Sequence, residues 1–277
     1  MNSNQQPVAL ITGGSSGLGI EVAAAMLRSG YRVTIVGRNE ARLREACDRL
    51  SRRDEKIDWC QGDVSVAADA AKVTQAVVDR NGRLDALVNC VGTSDRGLVE
   101  KLTADRLDEL MRQNVLTALL CSQAAIPFLE QTGGTIVNIG SLASKVGARY
   151  IGGYAMVKHA LAGMTQQMRL ELKPRGVHVA LVSPGPIRRS DAGHRYQESV
   201  DASMPAQASA PGGGARLKGL PPEDVAQAVL RCIQRRSPDI VLPGYLRLMI
   251  GIGHLAPRLG DWLLLKFTSP KDDSKPG

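Results

Sequence analysis

The stretch Val8-Ala9-Leu10-Ile11-Thr12-Gly13-Gly14-Ser15-Ser16-Gly17-Leu18-Gly19 decides the fold. Its first four residues form an apolar run with strand character. The residues from Gly17 to Arg28, including Glu21-Val22-Ala23-Ala24-Ala25-Met26-Leu27, have a helical pattern. Glycines between a strand and a helix let the backbone approach a pyrophosphate, and the helix N-terminus favours its negative charge. The spacing Gly-x-x-x-Gly-x-Gly differs from the commoner Gly-x-Gly-x-x-Gly, and no Lys follows the glycines as it would in a Walker loop. A flexible glycine turn in an unrelated α/β protein is the competing reading. The strand before it and the helix after it weigh against that.

Outward from this turn, strand-like and helical runs alternate, the pattern of parallel βα units. Strands are expected at Val8–Thr12, Arg32–Val36, Ile57–Gln61, Ala86–Asn89, Thr135–Ile139, His178–Val182 and Ile240–Leu242. Helices are expected at Gly17–Arg28, Glu40–Arg52, Ala67–Arg80, Arg106–Phe128, Gly153–Leu172 and Glu223–Arg235. The chain has 277 residues, 43% hydrophobic but only 3% aromatic, so Val, Ile, Leu and Ala must build the core. That composition suits a sheet covered on both faces. The expected fold class is α/β, a three-layer doubly wound (Rossmann-type) parallel sheet of about seven strands in a single domain spanning 1–277. Ligands of such sheets sit at the carboxyl ends of the strands. The glycine turn, Arg38, Asp63, Asn89, Ser141 and Pro184 all fall just past such ends.

Two stretches break the alternation. Tyr196 to Gly219 is rich in Ala, Ser, Pro and Gly and is expected, with the residues from 188 onward, to be a mobile substrate loop. Beyond Leu242 an apolar but interrupted segment runs from Tyr245 to Phe267. Residues 268–277 are polar, with disorder expected.

Several function classes lose support. Cys47, Cys60, Cys90, Cys121 and Cys232 are dispersed and odd in number, which argues for reduced thiols. His159, His178, His194 and His254 lie far apart, so no metal site is expected. The net charge is +8 and the pI about 9.4, yet basic residues are interleaved with acids and no nucleic-acid motif is present. The first residues are polar and uncharged, so no signal peptide is expected and the location expected is cytoplasmic. No stretch of about 18 apolar residues exists to span a bilayer.

Tyr154 and Lys158 are four residues apart, one helical turn, with Ser141 thirteen residues before the tyrosine. A cation held near a tyrosine hydroxyl lowers its pKa, and a tuned phenol can give or take a proton near neutral pH. After the second strand the chain reads Gly37-Arg38-Asn39, where an NAD enzyme usually carries an acid about 20 residues past the glycine loop. Gly37 leaves room for a phosphate and Arg38 can clamp it, so the expected cofactor is NADP(H).

These signals, in order, resemble the short-chain dehydrogenase/reductase family over roughly Val8 to Leu242: Thr12-Gly13-x3-Gly17-x-Gly19, Gly62-Asp63-Val64, Asn89-Cys90-Val91-Gly92, Asn114, Ser141, Tyr154-x3-Lys158 and Pro184-Gly185. The resemblance implies Tyr154 as general acid/base and Ser141 as the group that holds and polarises the carbonyl. Lys158 would lower the tyrosine pKa and bind the nicotinamide ribose. Asn114 would interrupt its helix and hold a water in a relay to Lys158. Cofactor contacts would come from Gly13, Ser15, Ser16, Gly17, Leu18, Gly19, Arg38, Asn39, Asp63, Val64, Asn89, Val91, Gly92, Tyr154, Lys158, Pro184, Gly185 and Ile187. The chain departs from the family at Cys90 and Val91, at Val157, and at Arg189, which stands where a Thr usually follows Pro-Gly, with Ser190 one residue on.

The function expected is NADP(H)-dependent interconversion of a carbonyl and a secondary alcohol on a hydrophobic substrate. Leu142, Ala143, Tyr150, Ile151 and Pro186 would line the pocket, and Arg149, Arg188 and Arg189 would either meet an anionic group or form a solvated rim. The alternative is a catalytically silent cofactor-binding or regulatory protein of the same fold, which the intact Asn114, Ser141, Tyr154 and Lys158 disfavour. The apolar helices Asn114–Phe128 and Gly153–Leu172 suggest a homodimer or homotetramer. For Tyr245 to Phe267, broken by Pro257, three placements stay open: over the substrate side, on a membrane surface as a peripheral contact, or as an oligomer contact or extra core.

Overall fold

In the computed structural model the apolar residues of the first six strands alternate between two hydrophobic clusters, and this alternation builds three layers. The structure describes residues 6–51, 57–188, 204, 208 and 217–268. The expected substrate loop and the polar tail beyond 268 lie almost wholly outside these residues, as do Arg189 and Ser190.

Strand β1 (Val8–Thr12) sends Ala9 and Ile11 to one cluster and Val8 and Leu10 to the other. The first cluster is closed by α1 (Gly17–Arg28) and α2 (Glu40–Leu50), with β2 (Arg32–Gly37) between them in sequence. The second cluster is closed by α3 (Ala67–Asn81), which follows β3 (Ile57–Gln61). Then come β4 (Ala86–Asn89), α4 (Ala104–Met111), α5 (Thr117–Thr132) and β5 (Thr135–Ile139). Next are α6 (Tyr154–Leu172), β6 (His178–Pro184), α7 (Pro222–Gln234) and β7 (Asp239–Leu242). Helix α7 joins α1 and α2 over the first cluster, and α5 and α6 join α3 over the second.

All seven strands are parallel, in the order β3-β2-β1-β4-β5-β6-β7. The order reverses between β1 and β4, which opens a crevice at the carboxyl edge there. The doubly wound Rossmann-type architecture expected from sequence is the one observed.

One element differs from its expected form. The single helix expected over Arg106–Phe128 is α4 and α5 joined by a wider π turn at Arg112–Leu116, which allows Asn114 to be wholly buried. Helix α5 runs through Pro127 to Thr132, because Leu129 is buried in the second cluster and Gly133, with φ +62°, makes the C-cap. As expected from Pro257, the apolar segment after β7 forms two helices, α8 (Leu246–Leu255) and α9 (Pro257–Thr268). No described helix is long and apolar enough to cross a membrane.

Candidate active site

The glycine turn between β1 and α1 is held by the Gly13 amide, which donates to the Val36 carbonyl at 2.8 Å. Gly13 has φ +67°, and a Cβ on Gly19 would overlap its carbonyl oxygen. Both positions therefore require glycine if the turn is to fold back onto the helix. Ser16 is the N-cap of α1 but makes no side-chain cap bond, so the first-turn amides keep their donor capacity for an anion. Ser15 adjoins the end of β2, its Oγ 3.2 Å from where a Cβ on Gly37 would stand. Arg38 follows, exposed, with its carbonyl accepting from Gln61 Nε2 at 3.0 Å. Asn39 caps α2, its Oδ1 accepting from the Arg42 amide.

Along the same edge Asp63 closes a turn by accepting from the Ser65 amide and hydroxyl. Those bonds hold its carboxyl below the usual carboxylate range, with smaller help from Arg38 and Arg112. Val64 is buried and Val91 packs against Gly13. Asn89 is buried at the end of β4 and donates to Asn138 Oδ1 at 2.8 Å. Asn138 in turn donates to Thr165 Oγ1 at 2.9 Å, so a polar chain crosses from β4 through β5 to α6. Sequence reasoning missed Asn138 and Thr165. The asparagine inside the apolar strand Thr135-Ile-Val-Asn-Ile was the available signal.

The crevice widens beside β5 and β6 into a cleft of about 690 Å³. Ser141, Tyr154 and Lys158 line it together with Gly92, Leu18, Pro184, Gly185 and Ile187. Ser141 caps the short turn Leu142–Ser144: its Oγ accepts from the Ala143 amide at 3.2 Å while its own amide donates to Ser144 Oγ. The Ser141 hydroxyl proton keeps its freedom to point into the cleft. Lys158 is only 4% exposed; its ammonium donates to the Ile139 carbonyl at 3.1 Å and stands 5.7 Å from the centre of the Tyr154 ring. Burial pushes that ammonium down to about 8. A Cβ on Gly92 would stand 2.8 Å from Asn114 Oδ1 and 3.3 Å from Lys158 Nζ, so the two groups converge where only a glycine leaves space. The π turn holds Asn114 there through Nδ2 to the Leu110 carbonyl and through Oδ1 from the Thr93 amide. Cys90 also lines the cleft; burial raises its thiol to about 12, which excludes it as a nucleophile near neutral pH.

Of the residues expected to contact substrate, Leu142, Ala143, Ile151 and Pro186 line the cleft. Tyr150 does not join them. Its backbone is left-handed, φ +65°, and Arg149 lies over its ring at 5.0 Å. A further part of the wall comes from α8 and α9, through Leu246, Met249, Ile250, Leu263 and Leu264. The tail is tied there by His254 Nε2 against the Lys145 carbonyl at 2.8 Å, and Lys145 pairs with Asp239 at 2.6 Å.

Comparisons with known proteins agree with this fold. The chain is 33% identical over 236 residues to 2-(S)-hydroxypropyl-CoM dehydrogenase 3 of Xanthobacter autotrophicus, covering 83% of this chain and 90% of that one. It is 27% identical to the ketoacyl reductase HetN of a Nostoc species over 90% and 84% of the two chains. A variant of actinorhodin polyketide ketoreductase solved with NADPH superposes with a TM-score of 0.76 at 26% identity, covering 86% of this chain and 96% of that one. ElxO with NADP bound gives 0.74 at 26% identity, over 88% and 100%. A family model described as short chain dehydrogenase matches residues 7–200. With its parallel sheet, its glycine turn at β1 and these relatives, the chain belongs to the short-chain dehydrogenase family of oxidoreductases.

Proposed function

We propose that this protein is an NADP(H)-dependent oxidoreductase that interconverts a carbonyl and a secondary alcohol on a hydrophobic substrate, with Tyr154 as general acid/base. The observation that carries this reading is the convergence of Ser141, Tyr154 and the buried Lys158 in one apolar-walled cleft, beside the glycine turn. The turn suits a dinucleotide: a side chain at Gly19 would overlap the Gly13 backbone, Gly13 has a left-handed φ of +67°, and no side chain caps the first amides of α1. Ser15 and Arg38 flank Gly37, and a glycine in place of an acid at the end of β2 favours a 2′-phosphate there. The NADPH and NADP carried by the two structural relatives support the same choice.

When bound, the cofactor supplies the hydride. In reduction the Tyr154 hydroxyl gives its proton to the substrate oxygen, and in oxidation the phenolate takes it back. Ser141, already accepting from the Ala143 amide, turns its O–H toward that oxygen and polarises the carbonyl. The Lys158 ammonium stabilises the phenolate, and its remaining donors are free to reach the ribose. The meeting of Asn114 Oδ1 and Lys158 Nζ beside Gly92 supports a water relay that returns a proton to Tyr154. Leu142, Val146, Met249, Ile250 and Leu263 give the cleft its apolar wall, which favours a greasy ketone or acyl chain.

Absorbance of NADPH followed against a panel of hydrophobic ketones tests the whole reading. Tyr154→Phe keeps the ring and removes the transferable proton, so kcat should fall about 10²- to 10⁴-fold with little change in NADPH affinity. Near-normal kcat in that variant would remove Tyr154 from the role.

A further inference from the structure

Helices α8 and α9 are apolar on two opposite sides. One side, Leu246, Met249, Ile250, Leu263 and Leu264, walls the cleft. The other side is exposed: Leu248 at 71%, Leu255 at 90% and Trp262 at 54%, with Ile252 and Leu259 also open. On α8 the exposed positions 248, 252 and 255 recur at i, i+4 and i+7, a continuous stripe. The pair is a built unit, because Gly253 and Gly260 let the two backbones touch and His254 and Arg247 tie α8 to the carbonyls of Lys145 and Asp239. A helix apolar around most of its circumference needs a second surface to cover it.

The charges choose that surface. Arg258 and Lys266 are exposed and lie off the cleft wall, Arg247 being turned to the Asp239 carbonyl, whereas Asp261, the hairpin's sole acid, is on the wall. A second copy packed face to face would offer these cations no acid, since Asp261 lies on the cleft wall. An anionic surface complements them instead. Lys266 also lies over the Trp262 ring at 4.9 Å, pairing a cation with an indole at the edge of the stripe. Neither helix is long enough to span a bilayer. We infer that the outer face of the α8–α9 hairpin docks on an anionic phospholipid surface, lying in the plane of the headgroups with Leu248, Ile252, Leu255, Leu259 and Trp262 submerged.

The test uses the full chain with unilamellar vesicles of phosphatidylcholine, alone or mixed with phosphatidylglycerol. The chain should co-sediment with the mixed vesicles, less with the neutral ones, and less as salt is added. The double variant Leu248→Glu, Trp262→Glu should bind at least about tenfold more weakly, the effect of withdrawing one large apolar side chain from its buried site. Should that variant misfold, Leu248→Ser with Leu255→Ser gives the same readout, and circular dichroism with turnover of a soluble ketone verifies the fold of either. In Trp59→Phe, which leaves Trp262 as the sole indole, fluorescence should shift to the blue on anionic vesicles. Absence of vesicle binding, or equal binding by the variants, overturns the proposal. So does sedimentation in which the wild-type chain forms a larger species that the variants lose while vesicles stay unbound, since the face then belongs to a second copy. Vesicle binding is read without turnover, so its failure is distinct from a failure of the catalytic reading.

Discussion

Lys158 carries an electrostatic penalty that makes it a probe at the scale of one residue. Its pKa falls from 10.5 to about 8 on burial, so between those values the unfolded chain holds a proton that the folded one has released. Stability from this group therefore rises with pH across that window, and at pH 7 the buried charge costs about 3 kcal/mol. The buried thiols, raised by desolvation at Cys47, Cys90, Cys121 and Cys232, pull the other way at alkaline pH. Lys158→Met isolates the lysine. Urea titrations at pH 7 and pH 10 should show the variant's stability relative to wild type dropping by up to about 3 kcal/mol between the two, whatever the lost bond to Ile139 costs. Activity follows the same proton: kcat/KM for ketone reduction should decline as pH rises through about 8, and Lys158→Met should lose activity and some cofactor affinity. Arg38 is a second single-residue probe. Hydrogen bonds to charged groups contribute roughly 1.5–3 kcal/mol, so Arg38→Ala should cut the preference for NADPH over NADH by about 10- to 150-fold in measured Kd.

Among the elements, the α8–α9 hairpin is separable in the way β1–α1 is not. It meets the body through the cleft wall, the His254 and Arg247 bonds and the end of β7, and it contributes to neither hydrophobic cluster. Ending the chain after Gly244 should leave NADPH binding and the main unfolding transition in place. KM for hydrophobic ketones should rise, because Leu246, Met249, Ile250, Leu263 and Leu264 leave the wall. A truncated enzyme with unchanged KM for greasy and small ketones alike would show that the wall takes no part in binding. The π turn is the element that no local signal foretold in detail. Asparagine is a poor helix-interior residue, which marks Asn114, but the burial that makes the extra residue worthwhile comes from Gly92 and Lys158 on other elements.

For the whole molecule, α5 and α6 keep partly uncovered apolar surface beyond what the second cluster uses. Leu161 and Met168 are buried inward, whereas Met156 is 46% exposed and Val115, Leu116 and Leu119 are half-buried. Sedimentation velocity at micromolar concentration should therefore show a dimer or tetramer, and Leu119→Glu with Met156→Glu should return it toward the 29.6 kDa chain. A monomer in the wild type would mean that this surface is simply tolerated.

The sequence by itself determined the sheet. Short apolar runs at β1 to β7, the glycine turn and the helical runs between them are local signals, so the strands fall at or within two residues of where the pattern puts them. It also placed Ser141, Tyr154 and Lys158 in register, because a four-residue helical spacing and a strand-end position survive folding unchanged. What only the tertiary structure decided is what depends on contacts between distant elements. These are the convergence of Asn114 and Lys158 on Gly92, the Asn89–Asn138–Thr165 chain and the departure of Tyr150 from the cleft. The folding of the tail across the cleft belongs with them. A helix apolar on two sides states in its sequence that both must be covered; which side meets the cleft is fixed by packing, through Gly253 against Gly260 and His254 against Lys145.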